Sequence, residues 1–158
     1  QIDIYSDMAR SSCELNDAVD PPVVFVYYFY NGPDATGVRF KAPRPARWSG
    51  ASFAGDNTPY LPVGNSQTDW TIGFGVCKAG PFYIGKAAYL ISGGGGQALC
   101  CDLAAIPAVQ FGYTDCRFDE IGLSTGNKLV INPDASCRCG LPVATEGTTW
   151  GRVKSLYR

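Results

Sequence analysis

The sequence predicts an all-β chain: one disulfide-bonded, antiparallel β-sandwich, immunoglobulin-like or jelly-roll-like, of about eight or nine strands. Three observations carry that prediction. Short runs of β-branched and aromatic residues recur between Gly, Pro, Asn and Asp clusters, and nothing before residue 140 has a helical period. Seven cysteines in a chain without a single His point to disulfides and an oxidising compartment. The 158 residues make up about one ordinary domain, large enough to bury a core, with no internal repeat.

The elements follow in chain order. Ile2 to Tyr5 is a short alternating strand. Val23 to Tyr30 (VVFVYYFY) is the strongest strand signal, eight β-branched or aromatic residues in succession. Apolar on both faces, it belongs in a central strand covered on both sides, or covered on one side and in a subunit contact on the other. Asn31-Gly32-Pro33-Asp34 is a turn, and Val38-Arg39-Phe40-Lys41 alternates as a half-exposed strand. Trp70 to Val76, Pro81 to Ile91, Leu99 to Leu103, Ala108 to Tyr113, Cys116 to Ile121 and Lys128 to Ile131 supply the remaining strands. Gly93 to Gly96 reads as a hairpin tip, since a phosphate loop needs a following Gly-Lys-Ser/Thr.

Residues 1–140 form the predicted sandwich domain and 141–158 a linker with a C-terminal docking segment. Thr148 and Thr149 offer an N-cap for a short helix or extended tail, with Trp150, Val153, Leu156 and Tyr157 as its apolar side. So short a helix needs a surface to dock on, its own domain or a neighbouring molecule.

The cysteines are Cys13, Cys77, Cys100, Cys101, Cys116, Cys137 and Cys139. The spacings of Cys100-Cys101 and Cys137-Arg-Cys139 do not match structural zinc sites, so disulfides are expected and no metal or other cofactor. Adjacent strand residues point to opposite faces, so Cys100 and Cys101 should find different partners. The odd count leaves one thiol, either free and buried or paired between molecules.

Composition narrows function. Hydrophobic residues make up 46% and charged residues 17%, and the net charge is −1. A surface poor in charge favours association, and nothing steers the molecule toward nucleic acid. Arg39, Lys41, Arg44 and Arg47 form one basic cluster, broken by Pro43 and Pro45, which reads as a solvated loop. No apolar run is long enough to insert in a membrane as a helix. The chain opens Gln1-Ile2-Asp3-Ile4 without Met, the pattern expected of a secreted, extracellular protein after signal-peptide removal.

Catalysis is not expected. Without His, the Ser-His-Asp and Cys-His arrangements cannot be built. A glycosidase needs two facing carboxylates, and Asp119-Glu120, the one adjacent acidic pair, would diverge on a strand.

Several stretches resemble a family of secreted bacterial proteins of uncharacterised function. They are Ile4-Tyr5-Ser6-Asp7 with Cys13, Val63-Gly-Asn-Ser-Gln-Thr68, Cys100-Cys101, Ile131-Asn-Pro-Asp-Ala-Ser-Cys137-Arg-Cys139 and the ending Thr-Thr-Trp-Gly-Arg-Val-Lys-Ser-Leu-Tyr. The resemblance implies secretion by a bacterium and transfers no site residue.

Two functions remain. The first is a self-assembling extracellular structural protein (a filament, sheath or surface-layer subunit) whose partner is itself. Its candidate subunit contacts are Val23, Phe25, Tyr27 and Phe29 with Trp150, Val153, Leu156 and Tyr157. The second is a carbohydrate-binding or adhesion module, with Trp48, Trp70, Tyr60 and Tyr83 stacking on glycans if exposed.

Overall fold

A computed structural model of the chain describes residues 1–18, 22–92, 96, 99–108 and 112–139. The segment 140–158, with Trp150, Val153, Leu156 and Tyr157, lies outside the described residues, as do positions 109–111 of the expected Ala108–Tyr113 strand. Twelve strands and no helix are found among the described residues: β1 Ile2–Tyr5, β2 Glu14–Leu15, β3 Val23–Tyr30, β4 Ala35–Phe40, β5 Ala51–Asn57, β6 Leu61–Asn65, β7 Asp69–Lys78, β8 Phe82–Ile91, β9 Cys101–Leu103, β10 Tyr113–Asp115, β11 Glu120–Ile121 and β12 Leu129–Ile131. Consequently, no described helix is long and apolar enough to cross a membrane.

The strands form an antiparallel β-sandwich. A four-stranded sheet runs β1-β3-β8-β5 and a five-stranded sheet runs β11-β10-β4-β7-β6. Neither closes on itself, so each keeps two edge strands. A small sheet, β2-β12-β9, includes one parallel pair, β2 with β12, an exception to the expected antiparallel order.

Alternation explains the core. In β3 the even positions Val24, Val26, Tyr28 and Tyr30 are buried, facing Val38 and Phe40 of β4 and Trp70, Ile72 and Phe74 of β7, likewise buried. Tyr28 stacks at 5.4 Å from Phe40 and lies edge-on to Trp70 at 5.8 Å. A β-bulge where β3 meets β8 shifts register between Tyr28 and Phe29, so Tyr28 pairs with Gly85 and Phe29 with Tyr83. Position 85 has to be glycine, because a Cβ there would sit 2.6 Å from the Trp70 ring.

Three strands were not expected. β5 (ASFAGDN) and β6 (LPVGN) are rich in Gly, Pro, Asp and Asn, and β2 has only two residues. Their partners hold them: β5 pairs along β8, β6 along β7, and Pro62 is tolerated because β6 is an edge strand. The expected strand Cys116–Ile121 is instead a turn leading into β11. Asp115 Oδ1 accepts from the main-chain N–H of Arg117 and Asp119 at 2.8 and 2.9 Å, and Phe118 takes a left-handed φ of 69°.

Disulfides join Cys13 to Cys139, Cys77 to Cys116 and Cys100 to Cys137. Cys101 is the leftover thiol, free and buried, the first of the two alternatives. The vicinal pair finds different fates as expected, but not by strand alternation: Cys100 lies just before β9 with a left-handed φ of 45° and is bridged, while Cys101 is turned into the core.

Candidate functional site

The two outer faces of the sandwich differ sharply. On the four-stranded sheet, the odd residues of β3 (Val23, Phe25, Tyr27 and Phe29) point away from the core, because the even ones fill it. All four expected sandwich contacts therefore share one face. Phe25 is 36% exposed and Val23 and Tyr27 half-buried, whereas Phe29 is covered by its neighbours. Tyr5 meets Phe29 edge-on at 5.6 Å, Tyr83 lies 5.7 Å from Phe29 and 6.5 Å from Tyr27, and Phe25 sits 6.4 Å from Tyr27. These rings are inclined to one another by 49–83°, which makes an interlocked ridge rather than a flat platform.

Two cations edge the ridge. The Lys86 ammonium lies 4.2 Å from the centre of the Phe25 ring, and the Arg10 guanidinium 5.5 Å from that of Phe29. Leu90, the cross-strand partner of Val23, extends the apolar strip and is 50% exposed. Burial pushes the Tyr83 hydroxyl above its ordinary pKa, with Tyr27 adding to the effect, so Tyr83 stays neutral at physiological pH.

The outer face of the five-stranded sheet is a trough of about 400 Å³. Register places Glu120, Thr114, Gly37, Gly73 and Leu61 in one row across all five strands. The neighbouring outward row is Arg39, Thr71 and Val63, since the intervening Val38 and Ile72 face the core. The two glycines make the floor. Leu61 and Val63, 75% and 72% exposed, stand at the β6 side. Arg39 grips Asp69 with two side-chain hydrogen bonds, one of 2.8 Å from Nε to Oδ1 and one from Nη2 to Oδ2. That contact holds the Asp69 carboxyl below the usual aspartate range and raises the Arg39 guanidinium further.

No family model, curated protein or solved structure matches this chain.

The aromatic residues considered for glycan stacking are placed differently from that expectation. Trp48 and Trp70 are fully buried, Trp48 donating from Nε1 to Asp17 at 2.9 Å. Tyr60 packs edge-on against Phe74 and Phe82, and its hydroxyl accepts from Lys78 at 3.0 Å. Of the four, Tyr83 alone belongs to the ridge. Glu120 begins β11 while Asp119 remains in the preceding turn, so the acidic pair does not sit together on one strand. Among the described residues, two places bring three potential metal donors together, Asp34 with Cys77 and Cys116, and Asp134 with Cys100 and Cys137. In both, the two sulfurs are already joined to each other.

Sequence reasoning found the ridge, because VVFVYYFY announces apolar residues on both faces of one strand. It missed the trough. Its signal was present in Gly37 and Gly73, but their cross-strand pairing depends on a register that the sequence does not spell out.

Proposed function

We propose that this chain is a secreted bacterial structural subunit that assembles outside the cell into a filament, sheath or surface layer. The observation that carries the reading is the outward ridge of Phe25, Tyr27, Tyr83 and Leu90 on the four-stranded sheet. Contiguous apolar surface on a sandwich face marks an interaction site, and aromatic residues are enriched in such contacts. With charged residues at only 17%, little repulsion separates copies. Three disulfides suit an extracellular life. The C-terminal segment 141–158 is the second proposed contact, docking on a neighbour.

Assembly is favoured over glycan binding because the ridge rings interlock at steep angles and two of the stacking candidates are in the core. Negative-stain electron microscopy of native material, taken before any size-selecting step, tests the reading. Regular filaments or lattices are expected. A monodisperse monomer at high concentration with its disulfides intact would overturn it.

A further inference from the structure

Gly73 is the starting point. It lies mid-strand in β7, facing outward, with an ordinary strand conformation. A Cβ added there would meet nothing nearer than the Leu61 carbonyl oxygen at 4.0 Å, so neither backbone strain nor crowding demands a glycine. Glycine in a strand interior weakens the strand, and it often marks a place where another body approaches closely. Gly37 lies directly across from it, so the bare floor is two residues wide. On the opposite face of the sandwich stands a ridge of interlocked aromatic rings.

Resting on the assembly reading above, we infer that the trough on the five-stranded sheet receives the aromatic ridge of a second copy of this chain. Copies then stack head to tail through unlike faces of the sandwich.

Shape and charge support that occupant. A ridge of inclined rings needs a depression, and the glycine row with Leu61 and Val63 beside it supplies one that is partly apolar. The charges are also complementary. Lys86 and Arg10 edge the ridge; in the trough the Arg39 cation is bonded to Asp69 and also attracted by Glu120, so Asp69 and Glu120 together leave the trough wall with an excess of negative charge. The receiving sheet's strands, of two, three, six, ten and five residues, give at about 4.8 by 3.3 Å per residue a footprint of about 400 Å² per subunit. Two such faces total about 800 Å², a small contact that a polymer repeats along its length. A contact between unlike faces does not close on itself, and it generates an open polymer rather than a dimer.

Two variants of the full-length chain separate this arrangement from the alternatives. Gly73→Trp fills the trough and leaves the ridge; Phe25→Asp spoils the ridge and leaves the trough. Far-UV circular dichroism and a count of one free thiol per unfolded chain establish that each has folded. Thr71→Trp and Leu90→Asp serve as the second trough and ridge variants if either first choice fails to fold. Sedimentation of the wild type is expected to show polymers, and of each variant alone only the 16.9 kDa monomer. Mixed together, the two variants have one intact ridge and one intact trough between them, so 1:1 heterodimers that grow no further are expected.

Polymers of Gly73→Trp alone would overturn the trough as the receiving face while leaving the assembly reading standing. If Phe25→Asp polymerises and a chain lacking 148–158 does not, the occupant is the terminal segment and the inference fails. A wild type that stays monomeric at high concentration overturns both.

Discussion

Asp56 accepts two hydrogen bonds from Ser66, one from its main-chain N–H at 2.6 Å and one from its hydroxyl at 2.7 Å. Asp56 belongs to the edge strand of the four-stranded sheet, and Ser66 opens the turn between β6 and β7 of the five-stranded one. A single carboxylate thus ties the two layers together at their open side. Around it lie other buried polar groups. Gln67 donates to the Tyr89 hydroxyl at 3.0 Å, and the Tyr28 hydroxyl lies beside those of Ser66 and Tyr89 without reaching good hydrogen-bond geometry.

Removing that carboxylate leaves a fully buried serine without its acceptor. Asp56→Ala is expected to lower stability by about 1–3 kcal/mol, read as a reduced urea midpoint at unchanged slope. The pH dependence has a definite sign. Burial raises the Asp56 carboxyl above the ordinary 3.8, so in that window the native state holds the proton more tightly than the unfolded chain. Stability from this group is present below 3.8 and falls as pH rises through the higher native value. Wild type should therefore lose ground relative to Asp56→Asn between pH 3 and pH 6; a constant difference would contradict the assignment.

Cys101 should be silent in the native protein. Its side chain is buried, and desolvation raises its pKa, so little thiolate is available and reagent has no access. A colorimetric thiol assay at pH 8 is expected to find no reactive thiol in the folded chain. One per chain should appear after unfolding without reductant, and none in Cys101→Ser.

Two tyrosines should define the alkaline limit. The hydroxyls of Tyr30 and Tyr89 are both pushed up to about 12, chiefly by burial. Their unfolded counterparts ionise near 10, so the stability they contribute is present below pH 10 and is lost as pH rises toward 12. Spectrophotometric titration of the folded protein should show these tyrosines ionising late, with only the wholly buried Tyr28 held higher by desolvation, together with loss of the near-ultraviolet circular dichroism signal.

Gly85 and Gly73 make a paired test of what glycine does in each place. Gly85→Ala drives a methyl to within 2.6 Å of the Trp70 ring and 2.9 Å of the Asn57 carbonyl oxygen, and should cost about 1–3 kcal/mol. Gly73→Ala meets only open surface and should be neutral or stabilising, by up to about 1 kcal/mol. Equal losses at both positions would mean that position 73 is structurally constrained after all.

Much of the fold was legible where side-chain pattern decides the backbone. Val23 to Tyr30 read as a central strand and is one, and Val38-Arg39-Phe40-Lys41 alternates as its sequence does, with Phe40 buried and Arg39 outward. β5 and β6 were not legible, because ASFAGDN and LPVGN have turn-like composition and become strands only when β8 and β7 supply partners. The stretch Cys116 to Ile121 misled in the other direction. Its apolar residues suggested a strand, but the Asp115 carboxylate captures two main-chain N–H groups and bends the chain. The ridge was visible as an excess of apolar residues on one strand. The trough was not, since a floor made by missing side chains exists only once strands are in register.

The Cys13–Cys139 bridge spans 126 positions and encloses every strand except β1. Tension applied to the chain on either side of it passes from one cysteine to the other through the sulfur atoms. The sandwich hangs in a loop that carries no load, and about 430 Å of contour stays locked away from any pull. β1, outside that loop and paired to Tyr27 through Tyr30, is left as the strand to peel first. Reduction would convert this inextensible link into a long, yielding tether.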